Sequence, residues 1–544
     1  MSKYFIYGLL SLYLLTGCQA ENQDEQREKS SAPNVIFIMS DDHTYNAIGA
    51  YKQRLASLNP TPVLDELASG GMLFTNVFCT NSICTPSRAN IITGQYSQTN
   101  GVLDLDGRLP EERQFLPKEF KKLGYQTAVI GKWHLKEAPD AFDYYNVLPV
   151  QGQYFDPILY TREGGDTTYL ANFHGGVKRT ISGTQHKGHS SDVITGLTLD
   201  WLQNKRQKGQ PFFLMHHYKA PHDDFEFAPR YADYLEDRFI PEPANMYHQP
   251  NFGSVAVRGK NDSLIHEIGT SISDRHKYRS YTAQYKIDKE PRDSATSLAY
   301  QEYLKRYLRC VKGVDDNLGR LFDYLKANDL WDNTIIVYTG DQGMMLGEHD
   351  YMDKRWMYDE AMRMPFIMSY PNGIKAGSQS DLLINNTDFA PTLLELAGGE
   401  VPDYMQGKSF VNTTRGQAEK NWRDYTYYRY WMHLVHHDVP AHLGIRSKNY
   451  KLIFYYGDHY LPEKNGTGTM WWLQESFKIR PTPIAWEFYD LQKDPHEVNN
   501  LYDHPDYQTI IRKMKTELKK QRVALKETDQ NYPHLQKRIA ENWD

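Results

Sequence analysis

Asn34–Ser40 (NVIFIMS) is a continuous apolar run with no alternation of polar positions. That is how a strand covered on both faces reads. Runs of the same kind recur at Ala128–Gly131, Pro211–His216, Thr334–Thr339 and Pro365–Tyr370. Helical stretches lie between them. Pro62–Ala68 has Thr61 as its N-cap, Pro62 at the first helical position and Gly70 past its end; Pro117–Leu123 is stopped by Gly124. Asp192–Gln203 and Ala295–Ala327 are two more. This alternation predicts an α/β fold, a mostly parallel central sheet sandwiched by helices, over residues 33–420. From about Asn421 shorter strands follow one another at Tyr425–Tyr430, Leu443–Arg446, Tyr450–Tyr456 and Trp486–Leu491. A helix from Tyr507 to Leu525 then carries Ile510, Ile511, Met514 and Leu518 along one face. Residues 421–544 therefore read as a smaller C-terminal α+β subdomain, an antiparallel sheet covered by a helix.

The first residues follow another logic. Lys3 precedes an apolar run, Tyr4–Leu15, too short to span a bilayer as a stable helix. Residues 1–17 read as a signal peptide. Leu15-Thr16-Gly17-Cys18 resembles a bacterial lipobox, which implies lipidation of Cys18 and a lipoprotein of the cell envelope. Such a chain would sit in the outer membrane of a Gram-negative bacterium, facing the periplasm or the surface, and touch the membrane through the anchor alone. Residues 18–32, polar and rich in Glu and Asp, read as a tether.

A net charge of −6 provides no broad positive field, so nucleic acid is not an expected partner. If the ligand is an anion, its positive potential must be local. The four cysteines are Cys18, Cys79, Cys84 and Cys310; Cys79 and Cys310 lie in apolar segments and read as buried free thiols. The ends of the apolar strands carry most of the reactive side chains: Asp41-Asp42, Lys132 and His134, His222, and Asp341-Gln342. In α/β sheets ligands bind at the carboxyl ends of strands.

Cys84-Thr85-Pro86-Ser87-Arg88 places a cysteine just before a predicted helix through Thr93, with Thr85 as N-cap and Pro86 in the first turn. Helix N-termini favour anions, and Arg88 lies one turn in. The residues alone also allow a loop cysteine or a thiolate nucleophile.

The segment resembles the Cys-x-Pro-x-Arg signature of type I, formylglycine-dependent sulfatases in the alkaline-phosphatase-like superfamily, continued by Ile92-Thr93-Gly94. The resemblance extends over nearly the whole chain beyond its leader. Gly131-Lys132-Trp133-His134-Leu135, Lys219-Ala220-Pro221-His222, Thr339-Gly340-Asp341-Gln342-Gly343, Lys354 with Tyr358-Asp359-Glu360, and Phe488-Tyr489-Asp490-Leu491 are similar to family blocks in the same order. Gln342 stands where the family more often has Asn or His.

The resemblance implies that a maturation enzyme oxidises Cys84 to formylglycine. It implies one Ca²⁺ held by Asp41, Asp42, Asp341, Gln342 and residue 84, and an all-oxygen donor set suits that hard ion. Catalytic roles are implied for Cys84, Arg88, Lys132, His134, His222 and Lys354. His222 is the candidate acid, shared with Lys354, and His134 the candidate proton acceptor; His216 and His217 pack or line the pocket. A sulfate ester stays a poor electrophile until its charge is offset, which needs several cations. The expected substrate is a sulfated polysaccharide or oligosaccharide, with a lean to algal glycans such as ulvan, and Tyr154-Phe155, Tyr160 and Trp471-Trp472 are aromatics suited to sugars. The rivals are a phosphatase or phosphodiesterase of the same superfamily, a non-catalytic glycan-binding lipoprotein, and a cysteine hydrolase.

Overall fold

The structure is a computed structural model and describes residues 32–173, 177–247, 249–258, 291–435, 437, 439–461 and 481–544. The expectations for the leader, Cys18 and Trp471-Trp472 lie outside the described residues.

Asn34–Ser40 forms the strand its pattern predicts, and every residue of it is buried. It lies between Thr334–Gly340 and Phe212–Tyr218, parallel to both. The full eight-stranded order is Ser378–Ser380, Met72–Phe74, Phe366–Ser369, Thr334–Gly340, Asn34–Ser40, Phe212–Tyr218, Gln126–Lys132 and Tyr144–Leu148. Phe366–Ser369 runs antiparallel to both of its neighbours.

Two-sided burial explains the unbroken apolar run. Val35, Phe37 and Met39 enter one core, with Ala89, Ile91, Leu116, Phe120 and Leu393 from helices on that face. Ile36 and Ile38 enter the other, with Leu64, Leu67, Ile194, Leu304 and Leu318 from helices on the opposite face. Each fully buried side chain of this size contributes roughly 1.5–3 kcal/mol.

Two helix starts differ from the sequence reading. Thr61 does sit at the N-cap of Pro62–Ser69, but its hydroxyl accepts from Gly49 N instead of capping. The helix's own Val63 and Leu64 amides are taken by the Asp315 carboxylate, from the 36-residue helix Arg292–Ala327. The helix expected at Asp192 begins at Ser190, because the His189 side chain accepts from Ser191 N.

The C-terminal strands Thr426–Tyr430, His442–Arg446, Tyr450–Tyr455 and Ala485–Asp490 form the predicted antiparallel sheet. Its two faces do different work. Leu452 and Phe454 pack under Ile511, Met514, Leu518, Leu535 and Ile539 of helices Gln508–Ala524 and Pro533–Glu541. Ile453 and Tyr455 join the core of the larger sheet. No helix among the described residues is long and apolar enough to cross a membrane.

Candidate active site

Strand register creates the site. Ser40 pairs with Gly340, so the residues that follow, Asp41-Asp42 and Asp341-Gln342, leave the sheet side by side. Asp42 turns through a left-handed conformation, φ 64°, and its amide donates to Asp341 Oδ1 at 3.1 Å. One neighbour further, Gln126–Lys132 ends in Lys132. Gly131 before it has φ 104°, and a Cβ there would meet the His217 carbonyl oxygen at 1.9 Å. Only glycine allows that close approach.

The segment that carries Cys84 is the fully buried helix Cys84–Thr93. Cys84 is its first residue, not the one before it, and Ile83 is the N-cap. Thr85 is therefore inside the helix, and its hydroxyl makes no hydrogen bond, so the expected Thr85 cap does not exist. The consequence is favourable for the site, since Cys84 stays at the helix start while the next turn grips the second acidic segment at Asp341. Ser87 Oγ donates to the Asp341 carbonyl. Arg88 donates from Nε to Asp341 Oδ2 at 2.9 Å and from Nη1 to the Lys132 carbonyl at 2.7 Å.

Ligand atoms of Asp41, Cys84 and His222 all lie within 4.8 Å of one another, as do those of Asp41, Asp42 and Asp341. The two groups share Asp41 and form one centre. Three carboxylates, of Asp41, Asp42 and Asp341, meet three cations: Arg88, Lys132 on Asp41, and Lys354 on Asp42 at 2.5 Å. Lys132 also donates to Gln151 Oε1 at 2.5 Å.

Burial and neighbours set the protonation states. Burial pulls the Lys354 ammonium down, but its acidic neighbours, Asp42 first and then Cys84 and Asp353, together offset it and leave Lys354 above its ordinary value. Burial, reinforced by Lys132 and Lys354, holds His222 well below the usual histidine range. His222 Nδ1 lies 2.5 Å from the Asp223 carbonyl, which can only accept, so Nδ1 carries the hydrogen. Nε2 then faces Asp42 Oδ2 at 3.8 Å. Burial pushes the Cys84 thiol up to about 12. A thiol that resists ionisation is a poor thiolate nucleophile, which argues against a cysteine hydrolase.

His134 is buried two residues past Lys132, in a left-handed turn with φ 58°. His216 packs on Tyr218 and bonds Thr198 Oγ1 at 2.7 Å, and His217 bonds the Lys132 carbonyl at 3.1 Å. Cys79 and Cys310 are buried free thiols. Tyr154 is buried, with its hydroxyl donating to the His222 carbonyl, whereas Phe155 is exposed.

The donor set fits a hard dication. Asp41, Asp42 and Asp341 bring carboxylate oxygens together, and Gln342 Oε1 is buried with no hydrogen-bond donor. The Gln342 amide nitrogen meanwhile donates to Asp42 Oδ1, which fixes which end of the amide is left for a cation. The Gln342 side chain thus leaves an oxygen available to a hard cation, as an Asn would; a His could offer only a ring nitrogen.

Above this centre a cavity of about 160 Å³ is lined by Gln151, His222, Lys354, Asp353, Arg355 and His437, among others. The last three were not singled out from sequence. Asp353 and Arg355 flank Lys354, and a cluster of three charges was the available signal. His437 comes from the C-terminal part and meets Asp353 Oδ2 at 2.6 Å; no local spacing announces it. Arg355 is buried with Nε and Nη1 lacking hydrogen-bond acceptors.

The family model described as Sulfatase matches residues 33–399. The chain belongs to the sulfatase family. As a sulfatase it is a hydrolase of sulfate esters. A second model, N-sulphoglucosamine sulphohydrolase C-terminal, matches residues 347–463 and 477–524. The sulfatase is 36% identical over 518 residues to the N-acetylglucosamine-6-O-sulfatase of Bacteroides thetaiotaomicron, covering 89% of this chain and 85% of the relative. It is 27% identical to an ulvan-active sulfatase of Formosa agariphila, covering 91% and 81%. A solved structure of a protein in complex with its substrate D-glucosamine-2-N,6-O-disulfate superposes with a TM-score of 0.77 and 33% identity, covering 92% of this chain and 99% of that one.

Proposed function

We propose that this sulfatase removes the 6-O-sulfate of glucosamine units in a sulfated glycan, using Cys84 after its oxidation to formylglycine. The observation that carries the reaction is the cluster of Cys84, Asp41 and His222 within 4.8 Å. The substrate rests on the relative acting on N-acetylglucosamine 6-O-sulfate, which is 36% identical, against 27% for the ulvan-active one. That difference moves the weight from an algal glycan to an amino sugar.

Oxidation by a separate maturation enzyme would give residue 84 an aldehyde whose hydrate is an oxygen nucleophile, in place of a thiol that burial keeps protonated. Asp41, Asp42, Asp341 and Gln342 would hold Ca²⁺, which supplies positive charge for the sulfate oxygens and acidifies the nucleophile. Lys354 would add positive charge where negative charge develops, and Lys132, whose ammonium burial pulls well below its ordinary value, would add it through its pairing with Asp41. Arg88 acts by holding Asp341 and the Lys132 backbone in place.

The leaving sugar oxygen needs a proton. The sequence reading gives that role to His222, shared with Lys354; the protonation states favour Lys354, which its acidic neighbours together, Asp42 foremost, keep charged while burial keeps His222 neutral. His134 remains the proposed acceptor for release of sulfate. Asp353, Arg355 and His437, which line the cavity with Lys354, would bind the sugar hydroxyls.

Residues 1–17 as leader, lipidated Cys18 with a tether to residue 32, a catalytic domain over 33–420 and a C-terminal subdomain over 421–544 complete the proposal. The enzyme would then meet its glycan at the outer membrane, on the periplasmic or surface face. Ion chromatography of free sulfate tests the substrate. Release from N-acetylglucosamine 6-sulfate is expected, and release from ulvan or galactan oligosaccharides alone overturns the amino-sugar reading.

A further inference from the structure

Lys354 stands in irregular backbone between the two-residue strand Met352–Asp353 and the helix Asp359–Met362. Both of its neighbours hold a positive φ, 87° at Asp353 and 89° at Arg355. Residues other than glycine rarely adopt that conformation, and it persists only where the surroundings impose it. The question is what imposes it here.

The C-terminal part of the chain holds both sides. His437 meets the Asp353 carboxylate at 2.6 Å. On the other side Tyr428, from the strand Thr426–Tyr430, donates its hydroxyl hydrogen to the Arg355 carbonyl at 2.7 Å. The same hydroxyl accepts from the Ser82 amide at 3.3 Å, and the Arg355 amide donates to the Ser82 carbonyl at 2.9 Å. These bonds close a ring through Ser82, Tyr428 and Arg355. Ser82 lies just upstream of Cys84, and Arg355 directly follows Lys354. The ring therefore ties the backbone that carries Cys84 to the backbone that carries Lys354.

Packing alone would need only the ring of Tyr428, which is fully buried and stacks on His442 with centroids 5.5 Å apart. The hydroxyl is what reaches the two segments. Burial first, then the nearby Cys79, holds it well above the usual tyrosine range, so it keeps the proton it donates. After burial, Lys354 is the largest influence on the Cys84 thiol, so a shift of either segment changes how the two groups meet.

We propose that Tyr428 is a positioning residue, whose hydroxyl sets the Lys354 ammonium against residue 84 by locking their two backbone segments together. It acts through Lys354 and so rests on the role proposed for that residue. The C-terminal sheet is thereby part of the catalytic machinery, not only a cover for the larger sheet.

Tyr428→Phe keeps the ring and removes the hydroxyl. The test compares it with the parent as full-length mature enzyme, on the sugar sulfate that the parent hydrolyses fastest, with folding checked by thermal melting. A misplacement of about 1 Å costs on the order of 10²-fold, so kcat is expected to fall about tenfold or more while KM stays within about twofold. In a Lys354→Ala background the same substitution should cost less than about twofold, because groups that act together are not additive. Hydrogen exchange read by mass spectrometry should show the Ser82 and Arg355 amides protected in the parent and both released in Tyr428→Phe. An unchanged kcat in folded Tyr428→Phe, or a loss of the same size with and without Lys354, overturns the inference. If Tyr428→Phe does not fold, the parent decides: joint protection of the two amides supports the ring, and unprotected exchange of either overturns it. Full activity in Lys354→Ala defeats the role of Lys354, whereas an impaired Lys354→Ala beside an unimpaired Tyr428→Phe defeats this inference alone.

Discussion

Arg88 Nε lies 2.9 Å from Asp341 Oδ2, and both side chains are essentially excluded from solvent. The helix Cys84–Thr93 and the second acidic segment are thereby bolted together one turn from Cys84. A buried pair of this kind is costly to break from one side, because the remaining charge is stranded. Arg88→Ala is expected to lower stability by about 3–5 kcal/mol and to reduce activity beyond detection. Urea melts with tryptophan fluorescence and a sulfate-release assay measure the two effects.

Removing the metal should be visible without turnover. With Ca²⁺ at about 100 times its dissociation constant, bound metal stabilises by about 2.7 kcal/mol. Chelation with EGTA is expected to lower the melting temperature and to abolish activity, and added Ca²⁺ to restore both. Asp42→Asn should make the melting temperature insensitive to Ca²⁺. A melting curve unmoved by chelator in the unmodified chain would contradict the assignment of Asp41, Asp42, Asp341 and Gln342.

The proton donor can be separated from charge stabilisation by the leaving group. An aryl oxygen leaves without protonation, whereas a sugar oxygen does not. Loss of general-acid help typically costs roughly 10²–10⁴-fold. Lys354→Ala should therefore reduce kcat on a sugar sulfate far more than on 4-nitrophenyl sulfate. Equal losses on both substrates, with a strongly unequal loss for His222→Ala, would return the acid role to His222.

Gly131→Ala tests how the site is built. The added Cβ would sit 1.9 Å from the His217 carbonyl, at φ 104°, in the strand that delivers Lys132. The expected outcome is a destabilisation of more than about 1–3 kcal/mol, read by urea denaturation, with little folded protein recovered. Gly124→Ala, with φ 82° but nothing within 4 Å, should cost less.

Much of the site was legible in the sequence because strand ends put it there. An unbroken apolar run marks a strand buried on both faces, and Asp41, Lys132 and Asp341 directly follow or end such runs. His437 was not legible, since its neighbour Asp353 is far away in sequence and the loop carrying it has no periodic pattern. The hairpin of Thr167–Phe173 and Val177–Gln185 was missed for a related reason. Its strands carry polar residues on both sides and lack a steady apolar alternation. The Thr85 cap failed because the helix begins two residues earlier than that cap requires, at Cys84, with Ile83 as its N-cap. The helix Pro62–Ser69 drew its anion from Asp315, about 250 residues away, which no local rule can foresee.

The central claim is that residue 84 works as an aldehyde hydrate and not as a thiol. Mass spectrometry of the peptide containing Cys84, taken from fully active enzyme, tests it most directly. The expected mass is about 18 Da below that of the cysteine form, with Cys84→Ala inactive but folded. A full-mass cysteine peptide from enzyme at full specific activity would contradict the account.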